Sequence, residues 1–431
     1  MKKRIWLLAL WLCLCGALSG CGSFRSESEF FSRPVIPAEY EDLSQQLEVL
    51  LNDGYSYVMP DGGSYIQALQ MRDLDGDGKA EAMAFLRRDA DEEPLKIFVF
   101  KDEEGTYRRL CIIDSAAQGV ESVYYEDLTG DGKLELIVGW EMGGGRKTVS
   151  VYNIGRDCLT LVECEYTHYT AADMDRDGRP NLVVLHNDRE GQPVVEMYGW
   201  QTDILTLSYR GMLSSSMSEI SRGQLLSGYF RADMPALFIT GITADNTALT
   251  DVLVWDEQEG LHNLLPDEKT GRTAVALPYY GQLPQDINGD KIIEFPRYLG
   301  QSANSAVAWL QYEANGAVQE VQETYHCQDD GWYVKLPQSW WGRVNGDHFL
   351  DSRESQVTLT LDGTPVCSLF TIGGDGRENR AVMGNRFVVK RQTEQVFSAE
   401  LYDHGSENGM DEDLLRHSFY LTEASWSDGT D

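Results

Sequence analysis

Cysteine pairs, catalytic signatures and positive charge are what this sequence has least of. None of its eight cysteines forms a CxxC pair, which argues against zinc ribbons and thioredoxin-type redox sites. No GxSxG, HExxH or Walker sequence is present. Gly78-Lys79 and Gly132-Lys133 lack the Ser or Thr that a phosphate-binding loop places next. Only 36 Lys and Arg stand against 69 Asp and Glu, a formal net charge of −33. So acidic a chain has no positive face for a phosphate backbone, and nucleic acid is excluded as a partner. His168, His186, His262, His326, His348, His404 and His417 show no metal-ligand pairing in their spacing. Past the opening segment no apolar run nears the ~20 residues that cross a bilayer. What remains is 431 residues, enough for a large core, with 41 glycines and 21 tyrosines that suit a turn-rich β-protein.

The opening segment reads as a targeting signal. Lys2, Lys3 and Arg4 precede an apolar run over residues 5–18, too short for a comfortable span and ending in small residues. Leu18-Ser19-Gly20-Cys21 resembles the lipobox of bacterial lipoproteins. That resemblance implies a signal peptide over 1–20, acyl chains (palmitate among them) on Cys21, and attachment to the cell membrane on its extracytoplasmic face. Residues 21–60 are then a tether, with helical spacing of apolar residues over 40–51.

Internal repetition is the strongest signal in the chain. Asp73, Asp75, Asp77 and Glu81 occupy positions 1, 3, 5 and 9 of a nine-residue segment. Asp127, Thr129, Asp131 and Glu135 repeat it, as do Asp173, Asp175, Asp177 and Asn181. A fourth, weaker copy has Asp286, Asn288, Asp290 and Glu294, with Lys291 where the others have glycine. The gap between the third and fourth copies is about two units long, and residues 228–240 fill it with a strand pattern that has lost its acidic residues. Oxygen atoms at alternating positions of a tight loop surround a hard cation such as Ca²⁺, and glycine at position 6 lets the backbone curl. An EF-hand needs an acidic residue at position 12. Here Ala84, Val138 and Val184 stand there, so each loop leads into a strand.

Between the loops come paired strand patterns at 94–100 and 107–113, at 148–152 and 158–166, and at 193–200 and 204–209. Each unit of roughly 50 residues thus holds about four strands, the size of a propeller blade. The acidic loops and this spacing resemble the FG-GAP/VCBS repeats, whose best-known members are the integrin α-chain propellers. The resemblance implies an all-β chain with a β-propeller of five to seven four-stranded blades over 61–328. It also implies that the sixteen residues of the four loops are calcium ligands, each loop joining the first two strands of a blade.

Residues 329–431 change in character, with strand patterns at 356–361, 367–372, 386–390 and 396–402 and a helix pattern at 412–418. They read either as a last blade, with a ruined sixth loop at 343–351, or as a small separate β-rich module; the second reading is preferred. Cys158 and Cys164 in an extended strand lie roughly 20 Å apart, beyond disulfide reach. Most cysteines read as buried free thiols, with a Cys327–Cys367 bridge left open.

Two functions fit. The first is a membrane-anchored, calcium-stabilised binding or scaffolding module for a protein or a glycan, with no catalytic residue to name. The second is a propeller hydrolase or lyase acting on glycan through channel carboxylates, and a channel carboxyl with raised pKa would favour it.

Overall fold

The computed structural model describes residues 40–422 apart from 156 and 352, so Cys21 and the signal segment lie outside the described residues. The chain is all-β. Among the described residues a short helix, α1 (Glu41–Asn52), precedes six antiparallel sheets of four or five strands, with a two-stranded ribbon (Pro266–Asp267 with Arg272–Thr273) between the fourth and the fifth. The first is built from Leu69–Arg72, Glu81–Arg87, Leu95–Glu103 and Thr106–Ser115, with Ser56–Tyr57 beside the second of these. The second (Gly119–Glu126, Glu135–Gly143, Arg146–Asn153, Leu159–Glu165) and third (His168–Ala172, Asn181–Asn187, Pro193–Gln201, Ile204–Met212) have four strands each in chain order. The fourth runs Gln224–Arg231, Met234–Ile242, Thr247–Asp256 and Gly260–Asn263. Its first two strands cover residues 228–240, the predicted degenerate unit.

These strands lack a clean in/out alternation because both faces of each sheet are covered. Met83 and Phe85 pack toward Leu136 and Val138 of the second sheet, while Ala82, Ala84 and Leu86 pack on Leu43 and Leu47 of α1. Ile137, Val149 and Val151 meet Leu182 and Val184 of the third sheet. Val183 and Leu185 meet Leu237 and Ile239 of the fourth, whose Ala236 and Phe238 meet Phe295 and Ala308 of the fifth. A strand buried on both faces must be apolar throughout, and Ala82–Leu86 is completely so. Face-to-face burial between consecutive sheets is therefore the chief source of cohesion.

The fifth sheet (Phe295–Tyr298, Ala306–Tyr312, Val318–Cys327, Trp332–Lys335) takes Phe419–Leu421 from the chain's end as its outer strand. It packs against the sixth (Val344–Leu350, Glu354–Leu361, Thr364–Gly373, Gln395–Leu401, Phe387–Arg391) around Trp332, Trp340 and Phe397. The boundary expected at 328/329 thus falls inside the hairpin Cys327–Trp332 of one sheet. The ruined loop anticipated at 343–351 is instead the strand Val344–Leu350, paired along its whole length with Glu354–Leu361; without acidic residues at positions 1 and 3 nothing folds it into a turn. A helix at Glu412–Ser418 matches its sequence pattern, capped by the Asp411 side chain on the Leu414 N–H. Cysteine pairing differs from expectation. Cys111 and Cys158 form a disulfide with Cα atoms 6.0 Å apart, joining the first two sheets, whereas Cys164, Cys327 and Cys367 are free.

Candidate metal loops and the cavity they border

All four acidic segments adopt one backbone shape. In each, strand pairing closes the loop: Arg72 with Glu81, Glu126 with Glu135, Ala172 with Asn181, and Gln285 with Glu294. The position-1 carboxylate accepts the position-6 N–H, from Gly78 (2.9 Å), Gly132 (2.9 Å), Gly178 (3.1 Å) and Lys291 (2.8 Å). The position-5 carboxylate accepts the N–H two residues on, at 2.8–3.0 Å in every copy. Lys291 holds φ at 71°, the left-handed conformation its glycine counterparts adopt without cost. The fourth copy has paid that strain and kept the shape.

Position 9 fastens the loop to the core. Glu81, Glu135, Asn181 and Glu294 are buried, and each accepts the backbone N–H of position 2: Leu74 (2.8 Å), Leu128 (2.9 Å), Met174 (3.0 Å) and Ile287 (3.0 Å). Those position-2 residues are buried apolar anchors. Burial raises the pKa of Glu81 and Glu135 and lifts that of Glu294 to about 7.

The loops also touch one another. Leu134 N–H donates to Leu74 O (2.8 Å), and Ile293 N–H to Tyr229 O (3.0 Å). Position 8 of one unit thus binds position 2 of the unit before, which identifies Tyr229 as the position-2 residue of the degenerate fourth sheet. A Cβ on Gly130 would come within 2.5 Å of Arg179 Cδ, so only glycine admits the third loop so close to the second.

What distinguishes the copies is the residue on the third strand facing position 9. The pairs Ala82–Phe100, Leu136–Tyr152, Leu182–Tyr198 and Phe295–Leu310 place Lys101, Asn153, Gly199 and Gln311 there. Lys101 Nζ forms ion pairs with Asp75, Asp77 (2.9 Å) and Glu81 (3.1 Å). Burial works against its charge, yet the three carboxylates more than offset this and raise its pKa, while the same hydrogen bond lowers that of Asp77. Asn153 donates to Glu135 (3.0 Å), and Gln311 to Glu294 (2.7 Å). Gly199 offers nothing. In that third loop Asp173, Asp175 and Asp177 bring one oxygen each within 4.8 Å of the others, and Oδ1 of Asp173 and of Asp175 are buried with no hydrogen-bond partner. Burial and the neighbouring carboxylate of Asp177 raise the Asp175 pKa.

Among the described residues the carboxylates of the first and third loops converge to ligand spacing, and those of the second and fourth do not. The residue facing position 9 had no signal in single-sequence spacing, because its register is set by a strand pairing one hairpin away.

The third loop also borders a cavity of about 700 Å³. Asp173, Met174 and Arg176 form one wall; Tyr124, Tyr125 and Glu126 of the second sheet and Tyr229 and Asp233 of the fourth form others. Tyr65 joins them, packed edge-on against Tyr125 at 5.1 Å, with the Arg72 guanidinium 4.5 Å from its ring centroid. Burial, aided by Asp127, raises the Glu126 pKa. No tryptophan lines this cavity; Trp140, Trp309 and Trp340 are buried in the core. Gly144 and Gly145 form the turn between Glu135–Gly143 and Arg146–Asn153.

No family model matches the chain, and no curated protein matches it.

Proposed function

We propose that this chain is a lipid-anchored, extracytoplasmic binding module: a β-propeller of FG-GAP/VCBS type, stabilised by calcium, that takes a glycan in the cavity beside its loops. The single observation that carries this reading is that Asp173 and Arg176 belong both to a loop with two unpartnered carboxylate oxygens and to the cavity wall. A cation held by Asp173, Asp175 and Asp177 orders that wall, so metal and ligand binding are linked. The donor set is all oxygen, which suits a hard divalent cation. Successive sheets buried each against the next, with the first strands of the second, third and fourth lining one cavity, support the propeller. The Cys111–Cys158 disulfide accords with an oxidising compartment and with the lipobox at Cys21.

The cavity volume is that of a small-ligand site. Tyrosine faces for stacking and carboxylates for hydroxyl groups suit a neutral sugar better than a polyanion. Calcium need not occupy every loop. Lys101 supplies the first with its own positive charge, the amides of Asn153 and Gln311 quiet the second and fourth, and the third takes the ion.

Glu126 favours the second reading, a glycan hydrolase or lyase, because burial raises the pKa of this cavity-wall carboxyl, the direction that suits a general acid. Binding and turnover of neutral cell-wall and plant oligosaccharides by the protein and its Tyr229→Ala and Glu126→Gln variants separate the two. A binding module binds in calcium, weakens on Tyr229→Ala and turns nothing over. An enzyme cleaves, and Glu126→Gln abolishes cleavage while keeping affinity. No binding to any oligosaccharide with calcium present would overturn the glycan reading.

A further inference from the structure

We infer that Cys327, Asp330 and His348 form a second kind of metal site, one for a borderline-soft divalent cation of the zinc class, separate from the carboxylate loops. Cys327 ends the strand Val318–Cys327, and Asp330 lies in the turn that follows it. His348 comes from Val344–Leu350 in the neighbouring sheet. The site therefore bridges the fifth and sixth sheets, and no local spacing in the sequence announces it.

The geometry is that of ligands around one ion. Cys327 Sγ lies 3.4 Å from Asp330 Oδ2, and His348 Nε2 lies 3.9 Å from the same oxygen. One donor atom from each of the three falls within 4.8 Å of the other two. Tetrahedral zinc, with bonds of ~2.3 Å to sulfur and ~2.0 Å to nitrogen or oxygen, holds its ligand atoms roughly 3.3–3.5 Å apart. Small adjustments of the exposed turn close the remainder. Asp329 Oδ2, 4.0 Å from His348 Nδ1, stands on the imidazole's other side. The Ser355 hydroxyl, 2.7 Å from Nε2, holds the ring where it stands and would give way to a metal bound at that nitrogen.

The donor set separates this place from the loops. A thiol and an imidazole select zinc-class metals over calcium. Cys367 provides an internal comparison: it is equally buried in the same pair of sheets, yet among the described residues it belongs to no such group. Asp330 and Ser355 also line a cavity of about 630 Å³ shared with Arg353, Glu354 and Arg380. Of the three ligands only Asp330 borders that cavity, which would give water a path to the fourth position of an open zinc site. On binding, the Cys327 thiol proton passes to solvent and the thiolate bonds to the metal.

The test is titration of the full chain with Co²⁺ in excess Ca²⁺, which keeps Co²⁺ from the carboxylate loops, reading the near-ultraviolet thiolate-to-cobalt charge-transfer absorption. One equivalent of Co²⁺ should produce the band, and Zn²⁺ should bleach it. Cys327→Ala should abolish it. Because Cys327 is core, His348→Ala at the exposed edge is the second variant, and it should weaken Co²⁺ binding at least about tenfold. No band in the folded protein, or a band that survives either substitution unchanged, would overturn the proposal. Since the calcium loops contain no sulfur, neither result bears on the glycan or calcium reading.

Discussion

The ammonium of Lys101 lies 3.1 Å from the buried carboxylate of Glu81, in the first loop, with Asp75 and Asp77 on its other sides. A side chain from the third strand thus stands where three carboxylates of the first acidic loop converge. Lys101→Ala removes that charge and leaves the carboxylates facing one another. With chelator present it should cost about 1.5–3 kcal/mol, the usual range for losing hydrogen bonds to charged groups. Millimolar Ca²⁺ should return much of this, and calorimetric titration should count one more calcium per chain than in the parent. An unchanged stoichiometry would show that Lys101 does not stand in for the ion.

The Cys111–Cys158 bridge spans 47 residues of chain and ties the first sheet to the second. Chain-entropy arguments put a bridge of this length at about 4 kcal/mol, and measured values commonly fall nearer 2–4. Cys111→Ser with Cys158→Ser should lower the urea midpoint accordingly. The same loss should follow mild reduction of the parent protein.

His326 is fully buried between Trp309 and Tyr333, with Nε2 2.8 Å from the Thr324 hydroxyl. Burial alone lowers its pKa to about 3. The folded state therefore binds fewer protons than the unfolded state between about pH 6.5 and 3. Stability from this group is complete above pH 6.5 and is lost as pH falls through that window. His326→Gln should be destabilised at pH 7 yet show a shallower acid limb. Chemical denaturation at pH 7.5 and 5.0 checks it: the gap between parent and variant should narrow at the lower pH.

Much of this was legible in the sequence because the repeats are local. Asp73 to Glu81, Asp127 to Glu135 and Asp173 to Asn181 carry their own turn chemistry, and the apolar runs after them become strands as expected. The fourth loop was legible too, since its backbone shape survives Lys291 at position 6. What could not be read was anything set by pairing across hairpins. Lys101 reaches the first loop only through the register of Ala82 with Phe100, and Cys111 finds Cys158 only because two sheets pack face to face. Residues 343–351 misled for the opposite reason: their Asp and Gly suggest a turn, but pairing with Glu354–Leu361 holds them extended.

The central claim is that a cation at the third loop stabilises the fold, and thermal unfolding with excess EDTA or millimolar Ca²⁺ tests it most directly. With ~1 mM Ca²⁺ and a dissociation constant of ~0.1 mM, one site adds about 1.4 kcal/mol. The parent should melt a few degrees higher in Ca²⁺, a rise abolished by Asp175→Ala and retained in Asp131→Ala. A parent that melts at the same temperature in both buffers, or an Asp175→Ala variant that still responds in full, would contradict it.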